Sequence, residues 1–180
     1  MAFNEAYDCV VSADESGMIE YWRSSGPYEK PDNVFDLKLS TNLFDFKKVK
    51  SVSISITISL SGHEFAVYSL PDRQIRIFDF RTAKLYRTYD ESLSTLIVMQ
   101  QAGTAPIKLD EVEFGRRLVV EHDLENPAIR NRINIIFDES GHFILYGSLY
   151  GIKVINTFTN RVVRLYGKDE PFRALNLALY

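Results

Sequence analysis

Residues Ser51–Tyr89 read SVSISITISLSGHEFAVYSLPDRQIRIFDFRTAKLYRTY, and this stretch decides the fold. β-Branched residues alternate with small polar ones up to Leu60, Ser61-Gly62-His63 follows, and a second apolar run begins at Phe65. That order is a strand, a turn and a second strand. Ile75 opens a third run, and a fourth spans Lys84–Thr88 after the polar turn at Arg81-Thr82. Four short strands in succession predict one antiparallel four-stranded sheet.

The same order occurs twice more. Arg132–Gly167 reads RINIIFDESGHFILYGSLYGIKVINTFTNRVVRLYG, and Tyr7–Trp22 reads YDCVVSADESGMIEYW. Ser140-Gly141-His142 matches Ser61-Gly62-His63, Thr159-Asn160 leads into a strand at Arg161–Leu165, and Ile19, Ile75 and Ile152 open equivalent strands. Three residues after each of those isoleucines stand Trp22, Phe78 and Ile155, with Asp79 and Asn156 next to the latter two. A repeat of several short strands with a tryptophan-aspartate signature at this place is the pattern of WD-repeat propeller blades. The fold predicted is therefore all-β: a partial WD-repeat β-propeller of about three four-stranded antiparallel blades, forming one domain over residues 1–180.

The repeats are unevenly spaced. Ile19 and Ile75 lie 56 residues apart and Ile75 and Ile152 lie 77 apart, against about 43 for a plain blade. Gly26–Lys50, rich in turn residues, holds one insertion, with a strand expected near Phe35–Leu39. Asp90–Arg130 holds the other, and it reads as helical. Leu93, Leu96, Ile97 and Gln100 recur at helical spacing behind Asp90 or Ser92 as N-cap, with Gly103 as the stop. A second helix is expected within Leu109–Glu125, supported by Glu113–Arg117 and Arg117–Glu121 pairs four residues apart and ended by Asn126-Pro127, despite the cost of Gly115. Arg173–Tyr180 reads as one more strand. Twelve strands result, fewer than the roughly 16 of a small closed propeller.

Specific strings narrow this further. Val11–Trp22, Glu113-Phe114-Gly115-Arg116-Arg117 and the closing block GHFILYG, GIKVIN and TNRVVRLYGK resemble the peptidyl-prolyl isomerase and WD-repeat-containing protein family, nuclear cyclophilins with an N-terminal propeller. The resemblance implies a nuclear, spliceosome-associated protein. In that family the propeller binds protein partners, and a separate cyclophilin domain isomerises X-Pro bonds. Cyclophilins carry a Phe-His-Arg strand, and this sequence has none. The expectation is thus a protein-binding scaffold without catalytic residues, cofactor or metal, the isomerase activity of the parent lying outside this chain. A second expectation is self-assembly, because missing and surplus strands could be exchanged between copies.

Composition points the same way. A net charge of −3, from 24 acidic and 21 basic side chains, argues against direct nucleic-acid binding. No apolar run is long enough for a membrane span, the start MAFNEAYDCV lacks a signal-peptide build, and the single Cys9 suits a reducing compartment. A soluble intracellular protein is expected, with protein partners and no membrane.

Several residues invite a functional reading but have a plainer one. His63 and His142 occupy the same repeat position and read as turn residues bracing each blade. His122 sits among acids on a helix whose neighbours point apart, so a solvated face is preferred to a metal site. Asp14, Asp72, Asp138, Glu15 and Glu139 read as turn stabilisers. Lys47-Lys48-Lys50 and Arg130/Arg132 read as solvated or paired cations. The insertion is the best binding candidate: Leu96, Ile97, Val98 and Met99 exceed one helix stripe, and Arg116 and Arg117 add charge, so these six are the expected protein-binding residues.

Overall fold

The computed structural model describes residues 1–180 and contains three antiparallel sheets and four helices. The first sheet has three strands, β1 (Ala2–Asn4), β2 (Cys9–Ala13) and β3 (Ile19–Arg23), in chain order. The second has four, β4 (Val52–Ile58), β5 (Glu64–Leu70), β6 (Gln74–Asp79) and β7 (Leu85–Asp90). The third repeats that order with β8 (Ile135–Phe137), β9 (Phe143–Ser148), β10 (Gly151–Asn156) and β11 (Arg161–Tyr166). The first strand of the second sheet lies between the first strands of the other two.

Alternation along β5 shows why the sheets stack. Phe65 and Val67 enter a core shared with the first sheet's Cys9, Val11, Ile19 and Tyr21, where Phe65 stacks on Phe78 at 4.9 Å. Ala66, Tyr68 and Leu70 point the other way, into a second core with Ile135, Ile144, Tyr146 and Ile155 of the third sheet. A strand apolar on both faces cannot border water, so the middle sheet is covered on both sides. The outer strands β7 and β11 are mostly exposed, which suits their mixed charged and apolar sequences.

The repeat landmarks have physical causes. Asp79 and Asn156 each accept a backbone N–H three residues on, from Thr82 and Thr159, both at 2.7 Å, and so close the turn into the last strand. Both sheets carry a bulge beside the last strand, at Ile77/Phe78 and at Val154/Ile155. The His63 and His142 rings are exposed. Their backbone carbonyls do the bracing, accepting from Phe80 N at 2.7 Å and Thr157 N at 2.8 Å. Asp14 and Asp138 are turn acceptors: Met18 N–H and Ser16 hold the Asp14 carboxyl below its ordinary value. His122 is exposed, and no cluster of His, Cys, Asp or Glu has a metal-binding arrangement. No helix is long and apolar enough to cross a membrane.

Three sequence expectations are corrected. No strand forms at Phe35–Leu39; Val34 and Phe35 pack into the first core instead, and Lys38–Ser40 makes a single tight helical turn. Ala2–Asn4 is a strand that the repeat alignment passed over, being only three residues long. Arg173–Tyr180 forms no ladder. Its Leu175 carbonyl and Leu177 amide bond instead to the backbone and side chain of Asn134, so it runs as an extended segment beside β8. The total is eleven strands.

Between β7 and β8 stand α2 (Leu93–Ala102), α3 (Glu111–Asp123) and the short α4 (Pro127–Arg130), while α1 (Asp45–Lys48) precedes β4. Ser92 caps α2 by accepting from Thr95 N, and Gly103 ends it at φ +67°. Asp110 caps α3 by accepting from Glu113 N at 2.8 Å, and Glu111 and Glu113 in its first turn suit the positive end of the helix dipole.

Candidate functional site

The helical segment is held by charge as well as by apolar contact. Leu96 and Phe114 bury against Leu149 and Tyr150 at the β9–β10 turn. About two turns of α3 beyond Phe114, Glu121 is 3 % exposed yet carries a carboxylate. The burial is tolerable because two guanidinium groups meet it. Arg73, in the β5–β6 turn, donates to Glu121 Oε2 at 3.0 Å, to the Glu121 carbonyl at 2.6 Å and to Glu125 at 3.2 Å. Arg173 donates to Glu121 Oε1 from the other side. Three distant stretches of chain thus converge on one buried carboxylate.

Glycine makes this approach possible. A Cβ on Gly147 would lie 2.0 Å from Arg173 Nη1 and 2.1 Å from the Ala174 carbonyl, so only glycine lets the C-terminal segment cross β9 this closely. A second buried ionic cluster lies nearby, where Glu91 accepts from Lys153 Nζ at 2.5 Å and from the Tyr146 hydroxyl at 2.7 Å. Burial and the Glu91 charge push the Tyr146 hydroxyl well above its ordinary range, which keeps it a donor.

Next to the Glu121 cluster a cleft opens between α3, the Ile107–Leu109 stretch and the turn at Lys168–Pro171, with a volume of about 530 Å³. Arg117 fixes its walls. Its Nε donates to Glu113 at 2.7 Å, while its Nη atoms donate to the carbonyls of Leu149, Lys168 and Glu170. Gln100 donates to the Leu109 carbonyl at 2.8 Å and holds the opposite wall. Arg116 lies on the rim, 65 % exposed and 3.1 Å from Glu113. The cleft thus carries cationic side chains, and a separate small recess beside it is lined by Val120, Leu149 and Phe172.

The six expected binding residues divide unequally. Arg116 and Arg117 meet at this cleft. Leu96, at 1 % exposure, is core and offers no surface, because Phe114 and Tyr150 cover it. Ile97 packs partly against the same cluster, Met99 is half-buried, and Val98 alone of the four is exposed, on its own. The apolar run beyond one stripe is therefore mostly absorbed by the β9–β10 turn. Sequence reasoning missed Arg73, Glu121 and Arg173. Of the two helical pairs it expected, Glu113–Arg117 forms, whereas Glu121 leaves Arg117 and turns inward to Arg73 and Arg173.

Comparison with known proteins adds a different kind of information. No family model matches the chain. Proteins named as isomerases match nearly all of it. It is 51 % identical over 179 residues to "Peptidyl-prolyl cis-trans isomerase cyp15" of Rhizopus delemar, covering 99 % of this chain and 28 % of that protein. It is 48 % identical over 181 residues to "Peptidylprolyl isomerase domain and WD repeat-containing protein 1" of Mus musculus, covering 98 % and 27 %. With "Peptidyl-prolyl cis-trans isomerase CYP71" of Arabidopsis thaliana the identity is 42 % over 182 residues, covering 100 % and 29 %. The chain thus spans less than a third of the length of these relatives. Among solved structures, the RRP9 WD40 repeats align with a TM-score of 0.49 at 13 % identity, over 92 % of this chain and 37 % of that one, too low to carry an argument.

These matches correct the sequence reading at three points. It set the cyclophilin part of its family outside this chain, it made the chain a scaffold, and it expected no enzyme. Relatives named as peptidyl-prolyl cis-trans isomerases are matched over the whole chain, so a reading that separates the chain from isomerase function is not retained.

Proposed function

We propose that this chain works as part of a peptidyl-prolyl cis-trans isomerase. The observation that carries the proposal is 51 % identity across 179 residues to a protein named for that activity. Isomerisation of an X-Pro bond faces a barrier near 20 kcal/mol and takes roughly tens to hundreds of seconds unaided, so a catalyst is readily measured against it. The test is exchange of an X-Pro peptide followed by NMR, with this chain and with any longer natural polypeptide that contains it. Acceleration is expected from this chain or from any longer natural polypeptide that contains it; no acceleration by either would overturn the proposal.

We further infer that the three sheets are consecutive blades of a partial WD-repeat propeller. Two independent features support the inference: the turn-closing Asp79 and Asn156 stand at equivalent places, and the second and third sheets share strand order and bulge position. Nuclear localisation with protein partners belongs to the same proposal. A tagged protein spread evenly through the cytoplasm counts against it.

A further inference from the structure

We infer that the cleft between α3 and the Lys168–Pro171 turn is a docking site for a short acidic peptide. The inference is independent of the isomerase reading and rests on charge and geometry. The chain as a whole is negative, at −3. The cleft is not: Lys108, Arg116, Arg117 and Lys168 line it against only Glu113 and Asp169. Glu113 is already occupied by both Arg116 and Arg117. Lys108 and Lys168 are exposed and have no ion-pair partner within 4.0 Å, and Arg116 spends only Nη1 on Glu113.

The cations also stand on fixed walls. Arg117 ties α3 to the carbonyls of Lys168 and Glu170, and Gln100 holds the Leu109 carbonyl next to Lys108. Exposed unpaired ammonium groups on anchored backbone match carboxylates presented from an extended chain, and an anchored wall loses less entropy on binding. The exposed Phe172 and Val120 give an adjoining apolar patch for one aliphatic side chain of the same peptide. RNA fits less well, since a polyanion meets long-range repulsion from a negative chain and finds no aromatic side chain lining the cleft on which a base could stack.

Fluorescence anisotropy tests this with a labelled peptide of aspartates and glutamates around a central leucine, against its Asn/Gln counterpart. The acidic peptide is expected to bind and the neutral one not, with binding lost in high salt, where the screening length falls to about 3 Å. Lys108→Glu/Lys168→Glu, both exposed and outside the core, is expected to weaken binding about tenfold or more while leaving the thermal midpoint unchanged. Failure of the acidic peptide to bind, equal binding of the neutral peptide, or indifference to the double reversal overturns the site. So does an oligouridine that binds the cleft as tightly as the peptide.

Discussion

Replacing Glu121 by Gln keeps the volume of the side chain and removes the charge that two buried guanidinium groups share. The side chains of Arg73, Glu121 and Arg173 are 2 %, 4 % and 6 % exposed, so water cannot replace the lost partner. Breaking a buried pair in this way costs about 3–5 kcal/mol. Arg73 retains Glu125 at 3.2 Å, a half-exposed carboxylate, which puts the expectation at the lower end, about 3 kcal/mol. For a chain of this length each kcal/mol moves the thermal midpoint by roughly 2–4 °C, so a fall of roughly 6–12 °C is expected. Urea unfolding followed by circular dichroism gives the free energy directly. Glu113→Gln serves as the control: Arg116 is largely exposed, Arg117 keeps three carbonyl acceptors, and the cost is about 1 kcal/mol or less. If Glu121→Gln costs no more than Glu113→Gln, the cluster does not anchor α3 as described.

Other outcomes follow from single residues. Gly115 lies within α3 with nothing inside 4 Å of an added Cβ, so Gly115→Ala is expected to stabilise the protein by about 0.5–1 kcal/mol, measured as a raised urea midpoint. Burial pushes the Cys9 thiol up to about 11, outweighing the Trp22 N–H, so a thiol reagent at mildly alkaline pH is expected to label it far more slowly in the native protein than in urea; equal rates would show that β2 is open. Asp138 is pulled below the ordinary carboxylate value because bonds from Ser140 and Phe143 N–H outweigh its partial burial. Its stabilising effect is present above about pH 4 and lost as pH falls through the lower folded value, so the deficit of Asp138→Asn is expected to shrink in acid denaturation series.

Local chemistry made much of this fold legible. Ser92 and Gly103 are cap residues by type and act as caps, and the alternation of Ser51–Tyr89 becomes four paired strands. Where the sequence misled, tertiary contact decided. Val34 and Phe35 look like a strand start, but Val34 is buried in the first core and the Phe35 ring packs edge-on against Tyr21. Leu96 looks like surplus surface until the β9–β10 turn closes over it. The site was half legible: Arg116 and Arg117 stand out as a basic pair, but Glu121 looks like one more solvated acid. Only the approach of Arg73 from 48 residues away and Arg173 from 52 away gives it a role, and no helical spacing encodes that.

The most direct test of the proposed function is X-Pro exchange measured by NMR with this chain, and with any longer natural polypeptide that contains it. Isomerisation faster than the spontaneous rate is the predicted result, and exchange no faster than in buffer, from a preparation shown to be folded, would contradict it.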